Sequence, residues 1–195
     1  MTGDWLAAST DRVVAWARDQ KPSAGERRVL AIEGRSGSGK TTLATAVAER
    51  LGAPLIQMDH LYAGWDGLGR GVEVLHEWVL APLTAGERAV WRRWDWAAHH
   101  YAEEHPVPDG EWLVVEGVGA GGALLRTYLS GLVWVESPTT VRKRRALARD
   151  GETYAPHWRR WAAHEDAFYA AEQVREHAGL IIENEEPGDT ACVSG

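Results

Sequence analysis

The residues best suited to chemistry in this chain are Gly34-Arg35-Ser36-Gly37-Ser38-Gly39-Lys40-Thr41, followed by Thr42. Three glycines let such a segment turn tightly, so that successive backbone N–H groups converge on one point and can bind an anion. The spacing is that of GxxxxGK[ST], in which the loop cradles phosphates, the lysine reaches the β- and γ-phosphates and the hydroxyl next to it binds magnesium. Lys40 and Thr41 take those roles, and Gly34 to Thr42 form the expected nucleotide cradle. The context agrees: residues 28–33 read as an apolar strand and residues 41–51 as a helix, whose positive N-terminal end favours phosphate. A dinucleotide redox fold is disfavoured, because its shorter GxGxxG loop lacks the Lys-Thr ending.

A second set is basic. Arg142, Arg145 and Arg149 are spaced i, i+3, i+7 and share one face of a helix expected over residues 138–149. They read either as cations that meet phosphate charge or as a solvated face. The eight histidines form no HExxH pattern, and neighbours such as His99 and His100 point apart on a helix, so no structural zinc site is expected.

Positioning these groups requires a scaffold. Short apolar runs at 28–33, 55–58, 112–115, 132–135 and 180–182 alternate with helical stretches at 4–19, 41–51, 72–83, 123–129, 138–149 and 156–178, while 63–71 reads as a glycine-rich loop, 89–101 as mixed and 105–110 as a turn with two prolines. Strands apolar throughout are buried on both faces of a parallel sheet. The expectation is an α/β fold of three α/β/α layers around a five-stranded, mainly parallel sheet, the architecture of P-loop NTPases. Residues 1–195 then form one domain, with 64–110 as a substrate-covering insertion and 138–155 as a lid.

The order of these features resembles the uridine kinase-like branch of the P-loop nucleoside and nucleotide kinases, from Val29 to Asn184. Asp59-His60-Leu61-Tyr62 is similar to the Asp-then-aromatic pattern after the family's second strand. The resemblance implies that Asp59 is the base that takes a proton from the acceptor hydroxyl. A strand-end cap or a water-mediated magnesium contact is the other reading. Tyr62 is either a substrate-wall aromatic or a core residue. Leu113-Val114-Val115-Glu116-Gly117 resembles the third-strand motif and implies Glu116 beside magnesium. The segment after the fourth strand resembles the arginine-bearing lid, with Arg142 on nucleotide and Arg145 and Arg149 on the transferring phosphoryl group. Trp94-Asp95-Trp96 is similar to an aromatic-Asp substrate motif. With Trp65, Trp91 and Arg92 it would line a pocket for a planar group; the alternative is that these tryptophans pack in the core or lid.

The implied reaction is ATP- and Mg2+-dependent phosphoryl transfer to a hydroxyl of a nucleoside or similar small molecule. The alternatives are a nucleoside monophosphate or cofactor-precursor kinase, or a regulatory ATPase without an acceptor. The last is disfavoured by the absence of an Asn-Lys-x-Asp motif. A net charge of -7 argues against a nucleic-acid footprint, which needs a concentrated basic face. The first residues lack a basic start before an apolar run, no apolar stretch reaches membrane-spanning length, and Cys192 is the single cysteine. The cytoplasm is the expected location, with small-molecule partners.

Overall fold

The computed structural model describes residues 2–154 and 157–185, and among these not the side chains of 2, 3, 147 and 149–154. The chain begins with helix α1 (Thr2–Arg18), strand β1 (Arg28–Glu33), helix α2 (Lys40–Leu51) and strand β2 (Leu55–Gln57), which ends in a 3-10 turn, Met58–His60. Helix α3 (Leu68–Leu75) continues through a π-helical turn (His76–Leu80) into α4 (Ala81–Thr84). A hairpin of β3 (Val90–Asp95) and β4 (His100–Pro106) follows, then β5 (Trp112–Glu116), α5 (Ala123–Arg126) and β6 (Gly131–Glu136). Helices α6 (Thr139–Tyr154) and α7 (Trp158–Glu172) and strand β7 (Leu180–Glu183) complete the order.

The sheet order is β2-β5-β1-β6-β7, and every pair is parallel. The apolar runs explain this. Val29, Ala31, Leu113 and Val115 join one buried cluster, while Leu30, Ile32, Val114 and Val133 join the other. Alternate residues of each strand are thus buried on opposite faces, which needs helices on both sides. Val13, Val14 and Ala17 of α1 and Leu43, Ala44 and Val47 of α2 cover one face. Leu68, Val72, Leu75 and Trp161 of α3 and α7 cover the other.

Three expectations change. The segment expected to be a loop up to Gly71 becomes helical at Leu68, driven by an apolar face of Leu68, Val72 and Leu75. Residues 89–101, read as mixed, and the turn expected from His105 form the β3–β4 hairpin instead. That hairpin lacks the all-apolar run that marks a buried strand; its Trp91-Arg92-Arg93-Trp94 run belongs to a half-exposed ribbon. The long helix expected over 156–178 stops at Glu172, where Gln173 takes a left-handed conformation (φ 49°). Pro156 and Cys192 lie outside the described residues.

Among the described residues no helix is long and apolar enough to cross a membrane. Leu113 lies in the middle of β5 with no exposed surface. Leu113→Ala is expected to lower the unfolding free energy by about 2–5 kcal/mol, read by urea denaturation, because the sheet closes only partly around the cavity.

Candidate active site

Because the five strands are parallel, their C-terminal ends lie on one edge, where ligands bind in open α/β sheets. Each end delivers a polar residue there: Glu33 from β1, Gln57 and then Asp59 from β2, Glu116 from β5, Glu136 from β6 and Asn184 after β7. Register fixes their spacing, since Glu116 pairs with Ile32 on one side and Gln57 on the other.

Residues 34–39 cross from β1 to α2. Gly37 (φ 80°) and Gly39 (φ 94°) occupy backbone space that side chains avoid. There is also no room: a Cβ on Gly37 would stand 2.2 Å from the Arg142 carbonyl oxygen, and one on Gly39 2.4 Å from Asn184 Nδ2. Gly39 caps α2, so the amides of Lys40 and Thr41 open the helix at its positive end. Among the described residues no hydrogen bond or ion pair engages the Lys40 ammonium. Its charge is nonetheless felt by both Glu33 and Glu116.

Thr41 Oγ1 donates to Glu116 Oε1 at 3.1 Å, and Gln57 Nε2 reaches the same oxygen at 3.4 Å. Glu116 is 2% exposed, and its Oε2 is buried without a partner. Burial pushes the Glu116 carboxyl up, with Asp59 adding to the rise and Lys40 opposing it. A buried, unspent carboxylate oxygen beside a hydroxyl fits a divalent cation. Among the described residues no group of three or more His, Cys, Asp or Glu side chains converges. Magnesium does not need one, because waters and phosphate oxygens usually complete its shell. The glycine cradle and this pair therefore fit a magnesium nucleotide, with Gly34 to Thr42 around phosphates and Thr41 and Glu116 toward the metal.

Asp59 stands exposed in the 3-10 turn after β2. The hairpin holds that turn. Trp96 Nε1 donates to the Asp59 carbonyl at 3.2 Å, Tyr101 Oη to the Leu61 carbonyl at 2.9 Å, and Trp91 stacks on His60 with centroids 5.9 Å apart. Burial lowers the His60 pKa.

Several expected ligand residues are engaged elsewhere. Tyr62 is 1% exposed, donates to the Val118 carbonyl at 2.6 Å and packs on Trp161; it is a core residue. Asp95 accepts the amides of Ala97 and Ala98, each at 2.9 Å, which closes the hairpin turn and lowers its pKa. Arg92 pairs with Glu104 across the ribbon. Trp94 packs on Tyr101, and its indole nitrogen is buried without a partner. Trp65 stacks on His157 at 4.3 Å and packs on Trp96. Arg142 is 7% exposed and donates to the carbonyls of Ser137 and Ser36 and to Thr139 Oγ1, so it braces the loop. Arg145 is half-buried and reaches Ser137 Oγ at 3.5 Å. The side chain of Arg149 lies outside the described residues.

Sequence reasoning missed Glu33, Glu165 and Asn184. Glu33 has no exposed surface. It accepts the amides of Gly119 (2.9 Å) and Gly121 (2.9 Å), a longer contact from Gly34 (3.3 Å), and the Tyr169 hydroxyl (2.7 Å). Asn184 Nδ2 donates to the Ser38 carbonyl at 2.7 Å. A charged residue closing an apolar strand was the available signal for Glu33. Glu165 carried none, since one Glu in a polar helix looks solvated.

The sheet order, with GxxxxGKT leaving its central strand, defines the P-loop fold. No protein-family model and no curated protein sequence matches the chain. Solved structures do. A possible uridine kinase from Bacillus stearothermophilus is 22% identical, with a TM-score of 0.66 over 91% of this chain and 98% of that one. A candidate fructose transport system kinase from a Silicibacter species is 22% identical, with a TM-score of 0.52 over 93% and 98%. Shikimate kinase from Acinetobacter baumannii, solved with shikimate, is 18% identical, with a TM-score of 0.50 over 83% and 86%. The chain thus has the fold of the P-loop kinases, including that of the uridine kinase-like branch.

Burial pushes the Glu33 carboxyl up to about 7, although the Gly121 amide, Tyr169, Lys40 and the Gly34 amide all pull it down. A folded pKa above the unfolded one means that the native state holds the extra proton. The resulting stability is complete below the ordinary glutamate value of 4.5 and is lost as pH rises through about 7. Glu33→Gln is expected to flatten that part of the profile, removing a decline on the order of 3 kcal/mol in urea denaturation between pH about 4 and 8. An unchanged decline in the variant would assign the slope to other groups.

Proposed function

We propose that this protein transfers the terminal phosphoryl group of ATP to a hydroxyl of a small molecule, a nucleoside or a similar polyol. The observation that carries the reading is the pairing of two carboxylates with different surroundings on the edge beside the phosphate loop. Glu116 is buried with one oxygen unspent, next to Thr41. Asp59 is exposed, on a turn braced by Trp96 and Tyr101. A regulatory ATPase needs the first of these and has no use for the second.

The loop amides and Lys40 bind the β- and γ-phosphates and keep the terminal group in line with the acceptor. Thr41 and Glu116 would hold magnesium, which would neutralise phosphate charge. Asp59 orients the acceptor hydroxyl and takes its proton as the oxygen bonds to the terminal phosphorus and the bond to ADP breaks. Arg145, on the first half of α6, offsets charge on the transferring group. Residues 64–110 supply the acceptor side, with the hairpin and Trp65 as its aromatic wall, and 138–155 act as the lid. The fold likeness to kinases of small hydroxylated compounds supports the same class.

The test is ADP release and product mass in the presence of ATP, magnesium and a panel of nucleosides and sugar alcohols. Lys40→Ala should abolish transfer with the thermal midpoint little changed; full turnover in this variant would end the nucleotide assignment. Asp59→Asn keeps size and hydrogen bonding but loses basicity, so kcat should fall by about 10²–10⁴-fold with ATP affinity retained. Acceptor-dependent release at the parent rate in Asp59→Asn would remove Asp59 from the mechanism.

A further inference from the structure

The phosphate loop has a restraint on the side away from α2. Glu165 lies on α7 and is 1% exposed. Its Oε1 accepts the Ser36 backbone N–H at 2.8 Å and the Trp161 indole N–H at 3.0 Å. Its Oε2 stands 3.9 Å from Arg35 NH1, and that guanidinium also pairs with Asp166 at 2.5 Å and lies over the Tyr169 ring at 5.1 Å. Trp161, Glu165 and Tyr169 are spaced i, i+4, i+8, so one face of α7 meets the loop.

The same face reaches the acceptor side. Trp161 packs against Tyr62 at 5.0 Å and Trp65 at 6.4 Å. One turn away, Arg160 and His164 both hold Asp66. Helix α7 therefore grips the phosphate loop at residues 35 and 36 and the acceptor-side segment at residues 62, 65 and 66.

A buried carboxylate here needs a reason. It loses hydration and adds negative charge beside a loop built for anions. Packing alone would be served as well by an apolar side chain. What an apolar residue cannot do is accept the Ser36 amide, and a loop with glycines at 34, 37 and 39 has few restraints of its own.

We infer that Glu165 is a positioning residue for the phosphate loop: by accepting the Ser36 N–H it fixes the loop's first turn, so that the later amides are presented to the nucleotide, and through Trp161 it ties that geometry to the acceptor-side segment. The inference rests on the nucleotide reading of the loop for its effect on binding, though not for its effect on loop order. The acceptor oxygen is what matters, so a neutral amide can supply it. Glu165→Gln keeps the oxygen and sheds the charge, whereas Glu165→Ala leaves both N–H groups without an acceptor.

Two measurements test this. Hydrogen exchange of the nucleotide-free protein should show faster exchange confined to residues 34–41 in Glu165→Ala, with β5 as protected as in the parent and near-parent exchange in Glu165→Gln. Calorimetric titration with magnesium and a non-hydrolysable ATP analogue should show affinity about 10-fold weaker in Glu165→Ala and within about 3-fold of the parent in Glu165→Gln. Parent-like protection of 34–41 in Glu165→Ala would overturn the positioning role, whatever the titration gives. So would loss of protection spread evenly over the core, or a Glu165→Gln variant as impaired as Glu165→Ala. Failure of the parent to bind the analogue would overturn the nucleotide reading instead, and leave the exchange result to judge Glu165.

Discussion

A loop that must keep its backbone N–H groups unspent for a phosphate cannot stabilise itself with them. That constraint organises the active edge of this protein. The turn from Gly34 to Gly39 has one internal backbone bond, from the Ser38 N–H to the Arg35 carbonyl at 3.1 Å, and gains the rest of its order from outside. Arg142 donates to the Ser36 carbonyl, Asn184 to the Ser38 carbonyl, and Glu165 accepts the Ser36 N–H. The three come from α6, from the end of β7 and from α7. The phosphate loop is therefore complete only when the C-terminal third of the chain has folded onto the N-terminal third, and long-range contacts carry that closure entropy.

Glu33 serves the neighbouring loop in the same way. The backbone amides of Gly119 and Gly121 end on one buried carboxylate at the tip of β1, and Tyr169 of α7 closes it. Residues 117–122 directly follow Glu116, so the carboxylate bonded to Thr41 is attached to a segment held by another carboxylate. Burial against donors is a compromise: the donors favour the ionised form while the loss of water opposes it, and the balance lies near neutrality.

The sheet and the phosphate loop were legible because they rest on local rules. Five apolar runs, each closed by a polar residue, announce buried parallel strands, and GxxxxGKT is a spacing with one mechanical use. The acceptor side was less legible. Trp94-Asp95-Trp96 suggested ligand contacts, but Asp95 is spent on the amides of Ala97 and Ala98 and Trp96 on the Asp59 carbonyl. Such partners depend on how a hairpin folds back on a turn some 37 residues earlier, which no window of sequence contains. Tyr62 shows the same limit, since the neighbour that buries it, Trp161, belongs to α7.

Charge explains why four carboxylates can stand at the phosphate-loop edge of the sheet in a chain of net charge -7. Glu33 is engaged by N–H and O–H donors on both oxygens, and Glu165 by two N–H donors on one oxygen with the Arg35 guanidinium near the other, so much of their charge is answered before any ligand arrives. Among the described residues, Glu116 has Thr41 and Gln57 on one oxygen and nothing on the other. Asp59 stands in solvent, and its charge raises the Glu116 pKa. On the proposed reading this division has a chemical consequence. A divalent cation beside Glu116 would relieve that repulsion and favour its ionised form, while Asp59 keeps the freedom to accept a proton. The donors around each carboxylate, rather than its position along the chain, thus decide which ones hold the scaffold and which ones face the reactants.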